Sequence, residues 1–211
     1  MVREDFSTII RKIRIISGSI LFAYVIMHLL NHSINIFSID LADAVRSSYF
    51  HPVWQNPVGL VLLYGSFVAH MILGFSSILT RKSFKMKARD WIQIIFPVLA
   101  LLFLLQHIAV SFIITKIYGG EETYSLFFAA MNTETPSDLI VGAILFSLMT
   151  IFIWVHGVIG IDSYLKQQAV HHNKFTFYIR YPSLFRFIYW IVPVGAVLGC
   201  CLLYTSDAAD E

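Results

Sequence analysis

Ser17 to His32 reads SGSILFAYVIMHLLNH, and the fold of the whole chain turns on how that stretch is read. It is apolar enough to be a membrane helix, yet it carries two imidazoles, His28 and His32, where polar groups in hydrocarbon are costly and usually mark function. Residues i and i+4 share one face of a helix and differ in height by ~6 Å. A membrane helix with two such side chains on one face asks for something buried to bind them.

The rest of the chain is built in the same way. Of its 211 residues, 57% are hydrophobic and only 13% charged, with a mean hydropathy of +0.72. Soluble domains carry about 25% charged residues, so an ordinary soluble domain is excluded. Apolar runs occur near 15 to 37, 57 to 80, 91 to 116, 138 to 163 and 185 to 203. Each is long enough to cross a hydrocarbon core of ~30 Å. The expected fold is an all-α membrane protein, a bundle of five transmembrane helices. The N-terminal MVREDFSTIIRKIR is charged, and the apolar run after it is too long and lacks a small-residue cleavage site. The first helix is therefore expected to stay as an anchor rather than be removed as a signal peptide.

Basic residues set the expected orientation. Arg3, Arg11, Lys12 and Arg14 precede the first helix, and Arg81, Lys82, Lys85, Lys87 and Arg89 link the second and third. Lys166, Lys174, Arg180 and Arg186 link the fourth and fifth. Short connections rich in Lys and Arg stay in the cytoplasm, which puts the N-terminus there. The opposite connections offset Arg46 with Asp40 and Asp43, and Lys116 with Glu121, Glu122, Glu134 and Asp138. Five spans leave the end of the fifth outside, so an intracellular continuation needs a sixth.

Connections between the helices carry their own signals. Tyr49, His51, Pro52, Trp54 and Pro57 fit a segment along the membrane interface, with His51 a surface residue. Gly119 and Gly120 read as a helix stop, and Ser137 or Asp138 as the next start. The polar KQQAVHHNKFTFYIRYPS reads as a loop in which His171 and His172 are solvated. Cys201 to Glu211, CLLYTSDAADE, looks like a translated sequencing adapter. The native domain is accordingly taken as 1–200 and residues 201–211 as a non-native tail. Cys200 is then the sole candidate native cysteine, so no internal disulfide or cysteine-ligated metal is expected.

Three further spans each bring one histidine: His70, His107 and His156. At ~1.5 Å per residue, His28 and His107 lie ~20 and ~24 Å above the cytoplasmic edge, and His70 and His156 ~14 and ~8 Å. Two levels ~10 Å apart result. A neutral imidazole satisfies both ring nitrogens when Nε2 binds a metal and Nδ1–H donates to a carbonyl or hydroxyl. Two histidines from facing helices at each level suit b-type haem, giving an outer haem on His28 and His107 and an inner haem on His70 and His156. Zinc would need its ligands gathered at one point, and covalent haem attachment would need C-x-x-C-H. On the first helix either His28 or His32 could be the ligand, the other bonding a haem propionate, a quinone carbonyl or a neighbouring helix. Gly74, Ala109, Gly157 and Gly160 beside the histidines would let a porphyrin approach the backbone. Arg11, Arg14, Arg81 and Lys82 are placed to meet inner-haem propionates or lipid headgroups.

Four pieces carry a family resemblance: SGSILFAYVIMHLLNHS, WQNPVGLVLLYGSFVAHMILGFSSILTRKSF, LLFLLQHIAVSF and WVHGVIGIDSYLK. Over nearly all of its first 200 residues the chain resembles the dihaem cytochrome b membrane anchor of bacterial class III adenylate cyclases. More distantly it is similar to the cytochrome b subunits of succinate dehydrogenase and fumarate reductase. The interval from Gly18 to His28 looks like that before the first haem ligand in the fumarate reductase subunit, which favours His28 over His32. The resemblance implies His28, His70, His107 and His156 as axial ligands to haem iron, with His32 a secondary contact, and no catalytic residue in this fragment. It implies two non-covalent haem b, a quinone, and a six-helix anchor in the bacterial inner membrane, followed by a cytoplasmic cyclase regulated by redox or quinone state. The expected partners are the lipid bilayer and a second copy joined through the cyclase domain, with no nucleic acid. The competing reading is an electron-transfer subunit of a quinone-linked dehydrogenase.

Overall fold

The computed structural model describes residues 6–113, 117, 136–172 and 174–206. The chain runs through α1 (Phe6–Ile34), α2 (Ile39–Val45), a π-helical turn (Arg46–Phe50), α3 (His51–Trp54), α4 (Pro57–Leu79) and α5 (Ala88–Phe112). It continues through α6 (Pro136–His172), α7 (Thr176–Arg180) and α8 (Pro182–Ser206). Five of these, α1, α4, α5, α6 and α8, are long and apolar enough to cross a membrane. No strand occurs among the described residues. The all-α membrane bundle read from hydropathy is the architecture the chain adopts.

Local chemistry sets the helix ends. The Asn56 side chain accepts from the backbone N–H of Val58 at 2.9 Å and Gly59 at 3.0 Å, and Pro57 occupies the first helical position of α4. Gly59 also lies so close to the Val53 carbonyl and Trp54 backbone that a Cβ there would collide with them. The segment that holds Tyr49, His51, Pro52 and Trp54 is mostly helical. Its π-helical turn is tied by a contact of 3.3 Å between Arg46 Nη1 and His51 Nε2, in which the cation donates.

Two boundaries differ from the sequence reading. α1 begins at Phe6 and takes in the basic IIRKIR, and α6 runs on through KQQAVHH while Thr176–Arg180 forms α7, so most of KQQAVHHNKFTFYIRYPS is helical rather than loop. Nothing in KQQAVHH breaks a helix, and Lys166 bonds Asp162 one turn back at 2.9 Å, a pairing that supports continuation. His171 and His172 therefore belong to the end of α6. α8 continues through Cys201 to Ser206. The connection around 118 to 135 and residues 207–211 lie outside the described residues.

α1 is the central helix. It packs against α4 on one side and α8 on the other, touching α6 as well, while α5 packs on α6. The apolar core is small: Leu29, Trp154 and Ala196, surrounded by Phe22, Val25, Ile26, Val158 and Val192. α8 approaches α1 through Gly195 and Gly199, since a Cβ on Gly199 would strike the His32 carbonyl and one on Gly195 would lie 2.9 Å from Ser33 Oγ. Such small residues four apart are how membrane helices close on one another. Side chains such as Val61, Ile72, Leu102, Leu105 and Ile144 stay exposed on the outside, which suits lipid rather than water.

Candidate functional site

The four histidines meet in two pairs across the bundle. His70 on α4 and His156 on α6 have ring centroids 6.1 Å apart, and His28 on α1 and His107 on α5 have theirs 6.0 Å apart. Neither α1 with α5 nor α4 with α6 packs side by side among the described residues, so each pair spans the interior.

At the first pair, helix backbones decide which nitrogen carries the proton. His70 Nδ1 lies 3.2 Å from the Arg14 carbonyl and 3.3 Å from Ser17 Oγ. Ser17 gives its own hydrogen to the Arg14 carbonyl, so both neighbours act as acceptors and Nδ1 is the donor. His156 Nδ1 donates in the same way to the Gln93 carbonyl at 3.2 Å. Each ring therefore keeps Nε2 as a bare lone pair, the tautomer required of a metal ligand whose orientation is fixed from behind. Gly18 allows this arrangement. A Cβ there would stand 2.8 Å from His70 Cε1, closer than real side chains approach, so the ring lies directly on the α1 backbone.

The other pair has different chemistry. His28 Nε2 faces His32 Nε2 at 3.2 Å with the rings nearly perpendicular, so one donates and the other accepts. His32 is 3% exposed and lies against Phe146 of α6, and His28 stacks on Tyr24. Trp54 braces Tyr24 edge-on and donates its indole N–H to Met27 Sδ. On α1 the two pairs are separated by the interval from Gly18 to His28, about 15 Å of helix rise, wider than the ~10 Å expected from counting along separate segments.

Among the small residues expected to admit a flat cofactor, the surroundings divide. Gly74, one turn from His70, has no heavy atom near its missing Cβ, and Gly160 meets only Gln93 Nε2 at 3.5 Å. Gly157 is covered by the Phe22 ring, which also packs on Trp154, so it serves helix packing instead. Arg14 turns its guanidinium to Ser77 Oγ at 2.9 Å, while Arg81 bonds the Ser83 carbonyl. Arg11 and Lys82 are exposed.

A polar hub near the N-terminal end of α5 was not legible beforehand. Asp162 of α6 accepts from Arg89, from Lys166 at 2.9 Å and from the Tyr178 hydroxyl. The single Tyr178 hydrogen goes to that carboxylate, so the 2.6 Å contact with Tyr189 has Tyr189 as donor. Burial and the neighbouring carboxylate raise the Tyr178 pKa, keeping the phenol protonated. Trp154 donates to the Tyr189 carbonyl, joining the hub to the apolar core. Gln93 and Ser17, whose backbone and hydroxyl orient the imidazoles, were also missed. Counting depth along the helices pairs the histidines but does not find the groups behind them.

Among the described residues no group of three or more His, Cys, Asp and Glu gathers as a metal centre, so a metal held by histidines here would rest on imidazole pairs. No protein-family model matches the chain, and neither a curated protein nor a solved structure does.

Proposed function

We propose that this chain is a haem b-binding membrane domain that regulates a cytoplasmic adenylate cyclase carried further along its parent protein, responding to redox or quinone state. The observation that supports the haem-binding part of the reading is the inner pair. His70 and His156 offer two Nε2 lone pairs with both Nδ1–H groups anchored on backbone carbonyls. With ring centroids 6.1 Å apart and drawn from different helices, His70 and His156 would be close enough to hold one metal ion between them. The open flank at Gly74 and the buried, unpartnered Gln93 Oε1 behind His156 also suit a large flat group with polar edges.

In this reading His70 and His156 hold the inner haem and His28 and His107 the outer, with His32 beside the latter. Bound haem would supply a reversible one-electron couple in a low-dielectric site. The chain's own work is to fix ring orientation through Arg14, Ser17 and Gln93 and to exclude water through Phe22, Tyr24 and Trp154. Basic connections support a cytoplasmic N-terminus, the membrane in this reading is the bacterial inner one, and a cyclase domain would bring two copies together.

Purified protein supplied with haem should show low-spin Soret and α bands and about two haems per chain. Single replacements of His28, His70, His107 or His156 by Ala should each retain about half. Absence of both bands ends the haem reading. Reading the parent gene beyond Gly199 separates the two functions: a class III cyclase domain supports regulation, and a short end beside dehydrogenase genes supports electron transfer.

A further inference from the structure

The two histidine pairs are unequal, and His32 is the reason. At the inner pair every Nδ1–H is held from behind and both Nε2 atoms are free of protons, so that pair is ready to ligate. On the outer pair, His28 Nε2 is already engaged 3.2 Å away by His32 Nε2. An atom committed to that hydrogen bond cannot also bind a metal. If His28 is the donor its ligating atom carries the proton, and if it is the acceptor its lone pair is shared.

We propose that His32 is a positioning residue that holds His28 away from ligation, so that the outer site takes up haem more weakly than the inner one and fills second. His32 is well placed to compete. It lies one turn from His28 on the same face, is almost fully buried, and is fixed by Phe146 on α6. Its backbone is pinned too, because Gly199 of α8 lies directly on the His32 carbonyl. The contact is lost only when one of the two side chains rotates out of it, and the packing around His32 disfavours its own rotation. The inference rests on the haem reading given above.

The test is a haem titration of the purified full chain followed through the α band. Wild type should bind in two phases, and His156→Ala should remove the tighter one. His32→Leu keeps an apolar body against Phe146 but removes the partner, so the weaker phase should tighten by on the order of fivefold. His32→Gln, whose amide nitrogen can stand in for Nε2, should retain the weak phase, an outcome that a purely structural role for His32 would not produce. The inner phase is the internal standard and should not change in either variant. An unchanged or weakened outer phase in His32→Leu overturns the inference while leaving the haem reading intact. Loss of the outer phase in His32→Ala with retention in His28→Ala makes His32 the ligand and likewise overturns it. If no haem binds in any variant, the underlying reading fails and this inference with it.

Discussion

Gly18 shows how much depends on one missing methyl. With the His70 ring lying on its backbone, a Cβ would come within 2.8 Å of the imidazole, and the ring would have to leave the Arg14 carbonyl to make room. Gly18→Ala is therefore expected to lower inner-haem affinity by about tenfold, the effect of ~1–2 kcal/mol of overpacking, with the outer site unaffected. Retained haem per chain, read in the Gly18→Ala and His28→Ala backgrounds, checks this; equal loss from both sites would show a general collapse instead. His70, His107 and His156 stand out in the sequence because each is the single histidine of its apolar run, whereas His28 shares its run with His32. The bond between His28 and His32 could not, since i and i+4 spacing fixes a shared face and leaves rotamers free. Gln93 was hidden for a related reason: its backbone carbonyl, which any residue possesses, is the group that orients His156.

Helix by helix, hydropathy located all five spans, while their ends followed local chemistry. α6 outran its apolar segment because polar residues without breakers can continue a helix in water, and the Asp162 pair supports that extension. The hub itself was unreadable because its members are brought together from distant positions: Arg89, Asp162, Tyr178 and Tyr189 become neighbours only after α5, α6, α7 and α8 pack. Tyr178→Phe removes the donor to a carboxylate and is expected to destabilise the α7 connection by about 1–3 kcal/mol. Thermal unfolding in detergent reads the loss. Tyr189→Phe, which leaves the Tyr178 to Asp162 bond in place, should cost less. The raised pKa of Tyr178 carries a sign: stability from the protonated phenol is fully present below the ordinary tyrosine range and is lost only as pH climbs through its higher folded value. α8 offers a second test. Gly199→Leu would drive a side chain into the His32 carbonyl and is expected to part α8 from α1, lowering the unfolding midpoint far more than Leu198→Ala on the exposed face.

For the whole molecule, the bundle has a thin apolar core, two histidine pairs across its interior, and lipid-facing outer surfaces. Composition alone made the membrane class legible. Orientation rests on the distribution of Lys and Arg, and cysteines introduced at Lys85 and Tyr49 should label from opposite faces of sealed membrane vesicles, with Lys85 on the cytoplasmic side. Labelling of both from one face would remove the five-span topology. The proposed function depends most on the imidazole pairs clamping haem iron. Near-infrared magnetic circular dichroism of the oxidised, haem-loaded chain identifies axial ligands directly. The expected result is a low-spin bis-imidazole band from both haems that falls by about half in His70→Ala; a high-spin spectrum, or a band indifferent to His70 and His156, would contradict it.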